Sequence, residues 1–165
     1  MTTETATRKD LWAMKVRELV PTYRFAESAP HSKRIASSKD AETILRPLFG
    51  EMVDESVWAL YVNGGNDLLA VYKISEGSTS EAPVCASKVI RGAVLTNASA
   101  ILVAHCHPSG HSQPSASDRQ MTAELVKVCE LMRLPLVDHI VIGNGSGYFS
   151  FADRGLIEEY KRAAK

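Results

Sequence analysis

His105-Cys106-His107-Pro108-Ser109-Gly110 is the stretch of this 165-residue sequence whose residue types and spacing could do chemistry. Three of the five histidines fall between positions 105 and 111. They follow AILVA at 100–104, a short continuous apolar run that reads as a strand buried on both faces. Where a strand runs out into a loop, residues i and i+2 point to the same side. His105 and His107 can therefore present both imidazoles to one point while Cys106 faces away. Pro108, Gly110 and Pro114 shape a tight return that can bring Asp118, at the start of the next helix, back to the same place. Two neutral imidazoles and one carboxylate are a suitable donor set for zinc and leave a fourth tetrahedral position for water, the open arrangement of a catalytic site. The net positive charge of that set lowers the bound water's pKa toward ~7. A plainer reading stands beside this one. Asp118 lies three residues after Ser115, the spacing of a helix cap, and a lone histidine at a strand end is more often structural. Each feature is common, and only their joint spacing is not.

The elements that must position these groups follow from periodicity and turn chemistry. Ser38, Asp40 and Glu42 mark a helix start, Ile44, Leu45 and Leu48 give its apolar stripe, and it should end near Phe49–Gly50. VWALYV at 57–62 and LLAVYKI at 68–74, separated by NGGND, predict a β-hairpin. After a loop at 76–83, Val84, Val89, Ile90, Ala93 and Val94 predict a helix running to about Asn97. The strand at 100–104 should end at the histidines, and Met121, Leu125, Val128, Cys129 and Met132 predict the helix that Asp118 begins. LVDHIVIG at 136–143 reads as a strand, followed by a glycine-rich turn, a brief strand YFSF and a closing helix from about Asp153 to Ala163. On that strand, Asp138 and His139 could form a carboxylate–imidazole contact that supports the site, or a structural pair. Alternation of helices and strands, with hairpins at front and back, predicts a mixed sheet. Residues 1–35, with an amphipathic piece near Leu11–Val20, read as an N-terminal lead-in to a single domain at 36–165.

Composition narrows the function classes. Nineteen basic side chains offset nineteen acidic ones, so no long-range field draws this surface toward nucleic acid or anionic lipid. Only residues 1–50 lean basic, with nine basic against six acidic side chains. No apolar run reaches the ~20 residues of a membrane helix, and the first residues lack the apolar stretch of a signal peptide, which predicts a cytoplasmic protein. Three cysteines are too few and odd in number for a disulfide scaffold. His111 sits in the loop, where it could touch substrate or simply be solvated.

The residues resemble a known family. HCHPSGHSQPSASD fits the H-x-H-x7-S-x-x-D pattern of JAMM (JAB/MPN-type) metalloproteases, and HPSG with PS-x-x-D resembles the RadC branch of bacterial proteins. ESVWALYVNGGNDLLA is similar to that branch's strand pair, AILVAHCHPSG to its metal strand, and LVDHIVIGNGSGYFSFADRGLI to its C-terminal section, so the resemblance covers roughly residues 36–160. It implies an α/β fold, a JAB/MPN-like (cytidine-deaminase-like) mixed β-sheet flanked by helices. It also implies one zinc ion per chain on His105, His107 and Asp118, oxyanion stabilisation by Ser115, and an upstream glutamate acting through the metal-bound water. Position relative to the first strand makes that glutamate Glu55, with Glu51, Asp54 and Glu76 as nearby competitors. Ser115 could equally be a plain helix cap. The implied activity is zinc-dependent hydrolysis of a peptide or isopeptide bond in a peptide or protein substrate, one carboxylate serving as base and then as acid. The alternative is a DNA-repair or mobile-element accessory protein whose metal domain binds or scaffolds, against which the neutral charge and the complete ligand set argue. Three departures stand out. The branch usually shows His-Asn-His where this chain has Cys106, and often an Arg-Glu pair where it has Ser87-Lys88. Residues 1–35 are also too short for the helical DNA-binding module of longer members, so a metal domain alone is expected.

Overall fold

β1 (Ser56–Val62) and β2 (Leu68–Glu76) form the hairpin that NGGND predicts. The Asn63 side-chain oxygen accepts from the backbone N–H groups of Gly65 and Asp67, an Asx-type turn, and Asn66 takes the left-handed φ of 64° that closes it. The structure is a computed structural model that describes residues 34–50, 54–77, 86–145 and 147–164. The lead-in up to residue 33, Glu51 and the expected helix start at Val84 lie outside the described residues.

Among the described residues, five strands form one sheet in the order β2-β1-β3-β4-β5, with β3 (Ala100–His107) at its centre. β4 (Leu136–Gly143) is parallel to β3, and the other neighbours, including β5 (Tyr148–Ser150), pair antiparallel. A parallel pair needs a crossover, and here it is a helix whose start brings Asp118 back to the end of β3. The helices are α1 (Ser38–Phe49), α2 (Ala86–Thr96), α3 (Ala116–Leu131) and α4 (Leu156–Ala163). The expected α/β architecture with a mixed sheet flanked by helices is what the structure shows. None of its helices, among the described residues, is long and apolar enough to cross a membrane.

Alternation along the central strands sorts side chains into two cores. Ile101 and Val103 of β3, with Ala59 and Tyr61 of β1, pack under α2 and α3. Leu102, Ala104 and Cys106, with Leu60 and Ile140, pack under Leu45 and Phe49 of α1. Ser37 caps α1 by accepting from the Asp40 N–H, and Asp40 sits in the first turn against the positive end of the helix dipole.

Two boundaries differ from expectation. β3 continues through the histidines to His107, because its parallel ladder with β4 runs on, Cys106 opposite Ile142 and His107 opposite Gly143. The last helix starts at Leu156 rather than Asp153. Ser150 Oγ accepts from the Asp153 N–H, and Gly155 takes a left-handed φ of 72°, so residues 151–155 are turns that only then release into a helix.

One contact network ties α1 to the turn between β4 and β5. Arg46 donates from Nη1 to the carbonyls of Gly143 (3.1 Å) and Gly145 (2.7 Å), and from Nη2 to that of Gly147 (3.2 Å), holding the β4–β5 turn. Its Nε bonds the buried carboxylate of Glu42, which Lys39 also bonds at 2.8 Å. Burial opposes ionisation of Glu42, but these two cations outweigh it and keep the carboxyl below its ordinary range. The turn in turn floors the loop after β3. A Cβ on Gly143 would lie 2.3 Å from the Gly110 carbonyl oxygen, so the two backbones touch directly.

Candidate metal centre

His105 is 4% exposed at the end of β3, and His107, two residues on, lies half-buried on the same face. Their Nε2 atoms are 2.9 Å apart. The Asp118 carboxylate completes the group, Oδ1 at 3.2 Å from His105 Nε2 and Oδ2 at 3.4 Å from His107 Nε2. One donor atom from each residue falls within 4.8 Å of the others, a set that could hold a metal ion.

Asp118 reaches this point because α3 begins where it does. Ser115 is the N-cap: its Oγ accepts from the Asp118 N–H (3.1 Å) and donates to Asp118 Oδ2 (2.7 Å), while the Ser115 N–H donates to the same Oδ2 (2.7 Å). The cap and the triad are therefore one arrangement. The capping box fixes the side-chain angle of Asp118, and the carboxylate fixed in this way faces the two imidazoles.

The donor chemistry suits a cation. His107 Nδ1 lies 2.9 Å from the His111 carbonyl oxygen, which can only accept, so Nδ1 carries the hydrogen and Nε2 turns a lone pair toward His105 and Asp118. His111 thus contributes through its backbone while its side chain is exposed. Burial disfavours ionised Asp118, yet the facing imidazoles of His105 and His107 and the Ser115 hydroxyl outweigh it and hold the carboxyl far below its ordinary range. The Asp118 carboxylate beside it raises His107 above the usual imidazole value, opposed by burial and helped by the His111 carbonyl and the charge of Glu55. Lone pairs and negative charge pointed at one spot are the electrostatics of a cation site.

Glu55 immediately precedes β1. Val57 sits opposite His105 in the β1–β3 register, so Glu55 lies level with His107, on the histidine face by alternation, and its charge is felt by His107. Of its competitors, Glu51 lies outside the described residues and the other two are placed elsewhere. The Asp54 carbonyl accepts from the Cys106 thiol at 3.4 Å, on the opposite face, and Glu76, paired opposite Ser56 on β2, is engaged by Lys73 Nζ at 2.7 Å. Cys106 is fully buried and turned away from the imidazoles, its sulfur 3.7 Å from Ser56 Oγ.

The carboxylate–imidazole contact between Asp138 and His139 does not form. Adjacent residues on a strand face opposite ways. Asp138 instead accepts from Ser150 Oγ (2.6 Å) and from the backbone N–H groups of His139 (2.7 Å) and Ala152 (2.8 Å), bracing the β5 corner. His139 points to the metal-centre side, its Nε2 2.8 Å from His105 Nδ1 and its Nδ1 2.7 Å from Thr122 Oγ1, with its ring stacked on Phe151 at 4.9 Å between centroids. Burial, reinforced by the neighbouring His105, keeps this imidazole neutral, well below its ordinary pKa. Thr122 is a neighbour of the site that the sequence pattern does not single out. Its signal is the i+4 spacing from Asp118, which puts both on the same side of α3.

Comparison with known proteins agrees with the geometry. The chain matches the family described as RadC-like JAB domain over residues 35–156. It is 33% identical over 145 residues to a UPF0758 protein of Porphyromonas gingivalis, covering 88% of this chain and 62% of that one. A UPF0758 protein of Flavobacterium johnsoniae is also 33% identical, over 79% of this chain and 57% of its own length. One from Burkholderia cenocepacia is 39% identical over 78% of this chain and 50% of its own length. The chain thus spans between half and two thirds of the length of these curated relatives.

Proposed function

The chain belongs to the RadC-like JAB domain family, and from that premise we propose that it is a zinc-dependent hydrolase of the JAMM type, cleaving a peptide or isopeptide bond in a peptide or protein substrate. The observation that carries this reading is the convergence of His105, His107 and Asp118 at the end of β3, with Glu55 level with His107. One zinc ion would be held by the two Nε2 atoms and the Asp118 carboxylate. When bound, zinc supplies Lewis acidity to a carbonyl oxygen and lowers the pKa of a coordinated water.

The chain's own residues divide the remaining work. Glu55, exposed at the mouth and on the histidine face, takes a proton from the attacking water and passes it to the leaving amine nitrogen, so one carboxylate serves as base and then as acid. Ser115 Oγ, oriented by the capping box, can turn its hydrogen from Asp118 Oδ2 to an oxyanion, an interaction worth ~2–4 kcal/mol in a transition state. Asp118 keeps its backbone cap during that exchange, because the Ser115 N–H still donates to Oδ2.

The test is metal analysis of purified wild type beside Glu55→Gln, followed by cleavage of a peptide library. Wild type should carry close to one zinc per chain, and Glu55→Gln should retain that zinc while losing at least ~100-fold in turnover. Absence of zinc from the wild type, or full turnover by Glu55→Gln, would overturn the proposal.

A further inference from the structure

Behind the triad lies a line of hydrogen bonds whose proton positions can be worked out from the backbone inward. Thr122 Oγ1 is 2.5 Å from the Asp118 carbonyl oxygen and 2.7 Å from His139 Nδ1. The carbonyl can only accept, so the single hydroxyl hydrogen of Thr122 goes there. Toward His139 the hydroxyl oxygen must then accept, which puts the hydrogen of neutral His139 on Nδ1 and leaves Nε2 bare. That bare nitrogen faces His105 Nδ1 at 2.8 Å, so His105 must carry its hydrogen on Nδ1. Every residue in this line beyond the triad is fully buried, Thr122 and His139 both at 0% exposure, so no water competes for the assignment. Phe151, stacked on His139 with the rings 10° from parallel, holds the imidazole in the orientation the line requires.

We propose that Thr122 and His139 are positioning residues that fix His105 as its Nδ1–H tautomer and so present His105 Nε2, lone pair outward, to His107 Nε2 and Asp118. The line starts and ends on one residue: the backbone carbonyl of Asp118 receives the first hydrogen, and the side chain of Asp118 faces the nitrogen that the last one leaves bare. His107 is fixed separately, by the His111 carbonyl. Two different devices therefore produce the same outcome on adjacent ligands, a carbonyl one bond away for the half-buried His107 and a three-residue relay for the buried His105. Without the hydroxyl, His139 is free to move its hydrogen to Nε2, which would drive the hydrogen of His105 onto the atom that should bind metal. The effect on metal binding rests on the zinc reading above, while the tautomer assignment does not.

The test pairs Thr122→Val, which keeps the shape and removes the hydroxyl, with Thr122→Ser, which keeps the hydroxyl. Ring-nitrogen NMR on metal-free, histidine-labelled protein should show Nδ1–H tautomers for His105 and His139 in wild type and Thr122→Ser, and loss of that pattern in Thr122→Val. Competition titration with zinc and with cobalt should show Thr122→Val weakened ~10–100-fold and Thr122→Ser close to wild type. A wild-type His105 bearing its hydrogen on Nε2, or a folded Thr122→Val with unchanged ring pattern and metal affinity, overturns the proposal. So does a Thr122→Ser as impaired as Thr122→Val, since the hydroxyl would then not be the cause. A wild type that takes up no zinc counts against the metal reading instead, and the ring pattern of the metal-free protein tells the two failures apart.

Discussion

On one face of β3, Leu102, Ala104 and Cys106 meet Leu60 of β1, Ile140 and Ile142 of β4, and Leu45 of α1, so apolar contact decides their fit. On the other, His105 and His107 end in ring nitrogens with directional demands: Nδ1 meets His139 or the His111 carbonyl, and Nε2 faces Asp118. The same eight-residue strand therefore follows two rules. Apolar burial is non-directional and scales with area, so its losses should track volume. Buried polar groups are directional and costly when unpaired, so their losses should track individual donors and acceptors. A strand is suited to carrying both, because a two-residue period separates the two sets of side chains completely.

His107→Ala should give the largest effect on the polar side: metal content falling from close to one per chain to near zero with the circular dichroism spectrum retained. Retention of stoichiometric metal would break the division. Next, Leu60→Ala on the apolar side should cost ~2–5 kcal/mol in urea unfolding, since the residue is fully buried, while the folded fraction keeps its metal. If metal is lost in proportion, the two faces are coupled and the separation fails. Asp138 sharpens the comparison, because it is a buried polar group on the apolar side. Burial pushes its carboxyl up to about 6, opposed by the bonds from Ser150, Ala152 and His139. Between the ordinary carboxylate range and about 6 the native protein holds a proton that the unfolded chain has released. Stability of the wild type relative to Asp138→Asn should therefore decline by roughly 2–3 kcal/mol as pH rises across that window, read by denaturant titration at stepped pH. A rise across the same window would show that the three hydrogen bonds dominate burial. The smallest effect is expected from Cys106→Ala, a loss of about 1 kcal/mol with zinc affinity unchanged, because the thiol faces Asp54 and Ser56 rather than the imidazoles. A change in zinc affinity would mean that the sulfur takes part in binding.

How much of this was legible in the sequence depends on how local each signal is. NGGND between two apolar runs specifies its own turn through Asn63, and the hairpin follows. Ser115 and Asp118 carry both cap and ligand spacing within four residues, so the start of α3 and the third donor could be read together. The exit of β3 is not legible locally, because its last three residues are held by β4, whose pairing no local pattern announces. Asp138 and His139 suggest a pair because adjacency in sequence is visible, whereas the alternation that sends them to opposite sides matters only once the neighbours are known. Thr122 is hidden in the sequence for the same reason. A threonine in a helix is unremarkable until a buried imidazole is set against it by a strand seventeen residues away. Arg46 is a longer-range case, reaching turn carbonyls 97 to 101 residues further along the chain.

The backbone contact between Gly143 and Gly110 has a consequence for how freely the mouth of the centre can vary. It depends on no side chain of the loop after β3, only on the absence of one at position 143, since any Cβ there would overlap the Gly110 carbonyl. The side chains of Ser109, His111 and Gln113 can therefore be randomised without disturbing the floor beneath them, while a single methyl group at position 143 should lift it. A mutational library across this rim should show permissive loop positions sitting on one intolerant glycine in a different part of the chain.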